Sequence, residues 1–116
     1  MAPYLWAIQI DVAASRLTAV FATGDQEAIR DVCADIMYAH LSTRERLPIL
    51  DTFYRDIFAV TGHPQRLLDI GSGLNPLALR WMDLSPDASY LAYDIHEPRV
   101  AFLNHYFELE GCRRWR

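Results

Sequence analysis

The N-terminal half of the chain places apolar side chains at helical spacing. Apolar residues recur across 4–22, and after the stop signal Thr23-Gly24 the side chain of Asp25 can cap a second helix. The segment Ser42–Glu45 fits a capping box for a third helix, in which Pro48 falls in the second turn. This half of the sequence therefore predicts three helices in succession.

The pattern changes after a Gly-His-Pro stop. Arg66–Ile70 and Tyr90–Asp94 are short apolar runs typical of strands. Between them, Asn75 can cap a helix whose first residue is Pro76, the position where proline is best tolerated. Glu97–Leu109 has the spacing of a further helix. The order strand, helix, strand, helix predicts one βαβ unit with parallel strands.

Composition limits the class of protein. The 116 residues suffice for one domain, 52% of them are hydrophobic, and the net charge is −4, which argues mildly against a surface that binds nucleic acid throughout. Cys33 and Cys112 have no metal-binding or redox spacing, so we expect free thiols in a reducing compartment. The N-terminus resembles neither a signal peptide nor a membrane span, and we expect a cytoplasmic protein.

Two glycines follow the first strand. Gly71 and Gly73 allow a tight turn and let a ligand approach the backbone closely. Asp94 ends the second strand, about 20 residues on, where an acid can accept hydrogen bonds from both ribose hydroxyls. Together these features predict a site for a ligand that contains adenosine. The alternative for the glycines alone is an ordinary strand-to-helix turn.

The neighbouring residues discriminate among such ligands. The dinucleotide fingerprint requires a third glycine where Pro76 stands, and the Gly-Lys-Ser/Thr of a phosphate-binding loop is absent. Asp69 would repel a phosphate but suits a cationic ligand. The sequence therefore favours S-adenosyl-L-methionine, which carries a sulfonium and an ammonium, over NAD or ATP.

These motifs carry a family resemblance. The Asp69-x-Gly-x-Gly sequence is similar to the first motif of Rossmann-like S-adenosylmethionine-dependent methyltransferases. Gly73–Leu77 and His40–Leu47 resemble the aminoglycoside-resistance 16S rRNA methyltransferases that modify N7 of an A-site guanine. Asp94-Ile95 and Phe102–Asn104 also look like that family. The resemblance extends over roughly residues 25–110.

The family implies a helical N-terminal region on a methyltransferase domain, with a cofactor held by the glycine loop, Asp94 and an arginine that binds the methionine carboxylate. On a continuous third helix Arg46 lies beside the buried stripe, whereas Arg44 points about 200° away. Arg46 is therefore the predicted carboxylate ligand. The predicted cofactor-binding residues are Arg46, Asp69, Gly71, Ser72, Gly73, Asp94 and Ile95.

The resemblance implies a reaction that needs no general base, because guanine N7 already has a free lone pair. The protein's task is then to position the methyl group in line with N7 and to exclude water. We predict no catalytic side chain and no metal ligand. The implied partner is 16S rRNA in the 30S ribosomal subunit.

The fold class predicted is α/β. Residues 1–62 would form a helical N-terminal region, and residues 63–116 the first βαβα part of a Rossmann-like domain, incomplete at its C-terminus. Such a domain has about seven strands and the sequence predicts two, so we expect an N-terminal part with little activity alone. The alternatives are a methyltransferase of another RNA or a small molecule, and a non-catalytic truncated remnant.

Overall fold

In a computed structural model of the chain, residues 3–39 and 41–111 are described, with side chains from residue 9 onward except at 41 and 42. His40, Cys112 and the side chain of Ser42 lie outside this part. The described helices are α1 (Pro3–Thr23), α2 (Gln26–Tyr38), α3 (Leu41–Arg44), α4 (Leu50–Thr61), α5 (Leu79–Met82) and α6 (Glu97–Leu109), and the strands are β1 (Arg66–Ile70) and β2 (Ser89–Tyr93).

The boundary between α1 and α2 is as predicted. Gly24 has a φ of +69°, a left-handed conformation that ends α1. Asp25 then caps α2, because its side chain accepts a hydrogen bond of 3.1 Å from the backbone amide of Ala28. The second helix ends at Tyr38.

The predicted continuous third helix is wrong. Its residues form the single turn α3, a 3₁₀ turn at Leu47–Ile49, and then α4 from Leu50. Pro48 explains the break, because it has no amide to donate and disfavours helical geometry at the residue before it. Arg46 consequently lies in the connection before the 3₁₀ turn instead of on a helix. Gly62, with a φ of +79°, ends α4.

The second half of the described chain is the predicted βαβ unit. β1 and β2 pair in parallel, with Leu67 opposite Tyr90 and Ile70 opposite Tyr93. The crossover differs from the prediction, because it begins as a 3₁₀ helix at Asn75–Ala78 and only then becomes α5. Asn75 lies inside this helix and does not cap it; its side chain makes tertiary contacts instead.

The two faces of the sheet have different environments. Tyr90 is fully buried, and its ring lies 5.9 Å from that of Phe107 on α6. Leu68, Ile70 and Tyr93 point to the other face and are 57%, 77% and 54% exposed. The helical segment and α6 therefore cover one face, and an apolar surface remains on the other.

The core is continuous between the helical segment and the βαβ unit. Buried apolar residues of α1, α2 and α4 belong to one cluster with residues of β2 and α6. At its edge Arg80 donates to Glu110 at 2.9 and 2.8 Å, and burial raises the pKa of the nearby Cys33 thiol to about 12.

None of the helices in the described residues has both the length and the apolar character needed to cross a membrane.

Candidate functional site

The glycine loop, Gly71–Leu74, connects β1 to the 3₁₀ helix. Gly71 and Gly73 have φ values of +64° and +55°, which residues with a side chain rarely adopt. A Cβ atom at Gly71 would meet no atom within 4 Å, so its side of the backbone is open to an incoming ligand. The amide of Ser72 donates to the Tyr93 carbonyl at 3.0 Å, which ties the loop to the end of β2.

Asp94 lies directly beyond β2 and faces this loop. Its Oδ2 accepts a hydrogen bond of 2.9 Å from the Gly73 amide, and its Oδ1 accepts one of 2.9 Å from the His96 amide. Arg99, in the first turn of α6, donates from Nη1 to both oxygens, at 3.0 Å and 2.9 Å. The side chain of Asp94 is only 6% exposed.

These contacts determine the charge of Asp94. Burial alone would raise the pKa of its carboxyl group, but hydrogen bonds from His96, Arg99 and Gly73 and the positive charge of Arg99 together hold the pKa below its ordinary value. The group is therefore an anion at neutral pH. It accepts hydrogen bonds from the protein and pairs with the Arg99 cation, and it does not donate a proton.

The glycine loop and the end of β2 border an open cleft of about 530 Å³, a volume in the range of small-molecule sites. Ile95 is fully exposed at its rim. We call this space the loop cleft. It is lined by Ile70, Gly71, Gly73, Tyr93, Asp94, Ile95 and Arg99.

Ser72 is placed differently from the glycines beside it. It is buried, and its Oγ has no hydrogen-bond partner among the described residues. It lines a separate cavity of about 10 Å³, together with Asp94 and Asn104. Ser72 therefore contributes to the loop through its backbone and not through its side chain.

Arg44 and Arg46, the two arginines considered as ligands of the methionine carboxylate, point in different directions. Arg44 is exposed, and its Nε donates to the Tyr38 carbonyl at 2.7 Å. Arg46 is half-buried, and its Nη1 donates to Oδ1 of Asn75, directly after the glycine loop, at 2.8 Å. Arg46 therefore reaches the loop segment, whereas Arg44 turns toward α2.

Asp69 lies beneath the loop, on the buried face of the sheet. Its Oδ2 accepts hydrogen bonds of 2.8 Å from Nδ2 of Asn75 and 2.5 Å from the hydroxyl of Tyr90. Burial and this bond to Asp69 raise the pKa of Tyr90, so the tyrosine stays neutral and donates. Asp69 and Arg46 thus share Asn75 as a partner and do not line the loop cleft.

Sequence reasoning missed two polar residues of this region. Arg99 was not predicted, although an arginine five residues after a strand-end aspartate, on the first helical turn, was an available signal. Asn75 was interpreted as a helix cap, and its contacts with Arg46 and Tyr54, 29 and 21 residues away, are not visible in the local pattern.

The parallel strands, the glycine loop and the anionic Asp94 define an α/β segment with an open cleft at the carboxyl ends of its strands. Residues 7–115 match the family described as ribosomal RNA methyltransferase (FmrO). Because the match includes most of the chain, the chain belongs to this family.

Individual relatives are similar as well, and each is named 16S rRNA (guanine(1405)-N(7))-methyltransferase. The protein from Micromonospora echinospora is 46% identical over 81 residues, which are 70% of this chain and 30% of the relative. The protein from Micromonospora rosea is 47% identical over 80 residues, which are 69% of this chain and 29% of the relative. The protein from Frankia casuarinae is 40% identical over 86 residues, which are 74% of this chain and 30% of the relative. The chain thus spans about 30% of the length of these curated relatives.

Proposed function

We propose that this chain supplies the cofactor-binding segment of an S-adenosylmethionine-dependent methyltransferase that modifies a guanine N7 in 16S rRNA. The substrate follows the names of the relatives, which specify guanine 1405. By the same resemblance the target lies in the decoding A site of the 30S subunit, and its methylation gives aminoglycoside resistance. The observation that carries the proposal is the loop cleft, where two left-handed glycines face an anionic aspartate.

The described residues fit S-adenosylmethionine. Open space beside Gly71 admits a ligand to the backbone, and Asp94 has the acceptor oxygens that ribose hydroxyls require once they displace Arg99. The carboxylate of Asp69, next to the loop segment, suits a ligand with a sulfonium and an ammonium and opposes one with phosphates. The finer fold assignment follows: residues 63–116 form the beginning of a Rossmann-like domain, and residues 1–62 form a helical region attached to it.

In this proposal the cofactor supplies the electrophilic methyl group. The backbone of Gly71, Ser72 and Gly73 and the carboxylate of Asp94 hold its adenosine part, and Ile95 borders the adenine. The amino-acid end of the cofactor extends beyond the loop cleft toward Asn75, where Arg46 binds its carboxylate and Asp69 attracts its ammonium. None of these groups has to move a proton, because the guanine N7 lone pair is already available.

Cofactor binding is the first experiment. S-Adenosylmethionine is titrated calorimetrically into the 116-residue chain, its Asp94→Ala variant and a control, Asp56→Ala, which removes an exposed carboxylate. We expect micromolar binding to the wild type and the control, and at least about tenfold weaker binding to Asp94→Ala. No binding by a chain that still unfolds cooperatively would contradict the proposal.

The substrate is tested with a chimera. The matched 81 residues of the Micromonospora echinospora protein are replaced by those of this chain, and 30S subunits are incubated with labelled cofactor. We expect label at a guanine N7 of 16S rRNA, and none with Asp94→Ala in the chimera. Label only on another RNA or a small molecule would favour the second candidate function, a related methyltransferase. A folded chimera that binds cofactor without transfer would favour a non-catalytic remnant.

A further inference from the structure

The side chain of Asn75 joins three separate segments of the chain. Its Nδ2 donates to Asp69 at the end of β1, at 2.8 Å. Its Oδ1 accepts from Nη1 of Arg46, before the 3₁₀ turn, at 2.8 Å, and from the hydroxyl of Tyr54 on α4, at 3.0 Å. One short amide therefore connects the helical segment to the strand that precedes the glycine loop.

The chemistry of these contacts specifies an amide at this position. Its NH₂ group faces a carboxylate, and its oxygen faces a cation and a hydroxyl donor. In the reverse orientation the NH₂ group would face other donors, and the oxygen would face the carboxylate. An aspartate would place a second negative charge against Asp69. An apolar side chain could neither donate to Asp69 nor accept from Arg46.

The backbone holds the amide in place. The amide nitrogen of Asn75 donates to the Ser72 carbonyl at 3.0 Å, which closes the glycine loop on itself. The next residue, Pro76, is buried and has a fixed φ. Asn75 is thus anchored to the loop by its backbone and to three other side chains by its amide.

Asn75 also lies between two opposite charges. Arg46 donates to the oxygen of its side-chain amide, and Asp69 accepts from the nitrogen. The amide thus holds a cation and an anion next to the glycine loop. An α-amino acid presents the complementary pair, a carboxylate and an ammonium.

We infer that Asn75 is a positioning residue that orients Arg46 and Asp69 toward the amino-acid end of the cofactor. The inference rests on the proposed function, because it takes S-adenosylmethionine as the ligand. It adds Asn75 to that function, a residue that links Arg46 and Asp69 without being one of the proposed ligand-binding residues. Recognition of the amino-acid end then depends on an amide that need not touch the ligand.

The test compares two ligands that share adenosine. S-Adenosylhomocysteine carries the amino-acid group, and 5′-methylthioadenosine lacks it. In Asn75→Ala we expect affinity for the first to fall about tenfold, while affinity for the second changes less than about threefold. Gln65→Ala, which removes an exposed amide, should leave both affinities unchanged.

Two further variants separate positioning from folding. Tyr54→Phe removes only one donor to Asn75, and we expect the same selective loss at smaller magnitude without loss of folding. Arg46→Ala should abolish the preference for S-adenosylhomocysteine, and adding Asn75→Ala to it should cause little further loss, because the two side chains act together.

The outcomes are distinguishable. If the folded wild type binds neither ligand, the proposed function fails, and the inference fails with it. If the wild type binds both and the Asn75 and Tyr54 variants weaken both equally, the proposed function stands and Asn75 is a structural residue of the loop only. Additive losses from Arg46→Ala and Asn75→Ala would likewise overturn the inference.

Discussion

Nη1 of Arg99 lies 3.0 Å from Oδ1 and 2.9 Å from Oδ2 of Asp94, so a single nitrogen bridges both carboxylate oxygens. Backbone amides occupy one further acceptor position on each oxygen. A carboxylate has about four such positions, and all four are engaged. The group proposed to hold the ribose is therefore saturated by the protein itself.

A ribose that bonds to Asp94 must then displace Arg99. The amides of Gly73 and His96 are fixed by the backbone, whereas the arginine side chain can rotate away. Its positive charge also opposes a cationic cofactor in the loop cleft. In the proposed site Arg99 thus competes with the ligand, and its hydrogen bonds stabilise Asp94 beside the loop.

Removal of this competition gives the first prediction. Arg99→Met should bind S-adenosylmethionine about tenfold more tightly than the wild type, because a hydrogen bond to a charged group no longer has to be broken. Calorimetric titration measures the change, and Arg55→Met, at an exposed position, is the control. Weaker binding by a folded Arg99→Met variant would show that Arg99 assists the ligand.

The second prediction concerns acid stability. The folded-state pKa of Asp94 lies below its ordinary value of 3.8, so its contribution to stability is fully present above that value and is lost as the pH falls through the folded-state pKa. The free energy of unfolding of Asp94→Asn should therefore decline less than that of the wild type below about pH 4.

Urea denaturation at several pH values between about 6 and 3 gives the comparison. Other carboxyl groups titrate in the same interval, so the informative quantity is the difference in slope between the variant and the wild type. Asp56→Asn, at an exposed position, should keep the wild-type slope. Equal slopes for Asp94→Asn and the wild type would refute the prediction.

Local signals predicted much of the secondary structure. The glycine after Thr23, the cap at Asp25 and the apolar run Arg66–Ile70 each act within a few residues, and the structure has them as expected. Parallel pairing followed from the order of elements. By contrast, the apolar stripe favours a continuous third helix, and Pro48 alone indicates the break that the structure shows.

The polar network could not be predicted because its partners are distant in sequence. Asn75 before a proline is compatible with a helix cap, and only the tertiary fold brings Arg46 to it. Likewise, the residues around Arg80 do not indicate its partner Glu110, which lies 30 positions away. A local pattern identifies what a polar side chain can do, whereas packing determines which partner it meets.

The third prediction concerns this Arg80–Glu110 pair, whose side chains are 19% and 10% exposed. Glu110→Gln keeps the shape of the side chain but leaves the guanidinium largely buried without its counter-ion, which should cost about 3 kcal/mol of unfolding free energy. Asp56→Asn breaks an exposed pair with Arg55 and should cost less than about 1 kcal/mol. Equal losses in urea denaturation would mean that solvent screens both pairs alike.

The fourth prediction separates two possible reasons for a glycine at position 71. Gly71 and Gly24 both have positive φ, +64° and +69°, and a Cβ at either would meet no atom within 4 Å. Gly71→Ala and Gly24→Ala should therefore cost similar amounts of stability, about 1 kcal/mol each, because both place a side chain in a left-handed conformation.

Ligand binding should distinguish the two variants, because the space beside Gly71 belongs to the loop cleft and the space beside Gly24 does not. A methyl group in the cleft lies where the ligand must approach the backbone, so Gly71→Ala should lose most of its affinity for S-adenosylmethionine. Gly24→Ala should bind like the wild type. If calorimetry instead finds equal affinities in two equally destabilised variants, glycine at 71 serves only the turn, and the ligand does not approach the loop backbone.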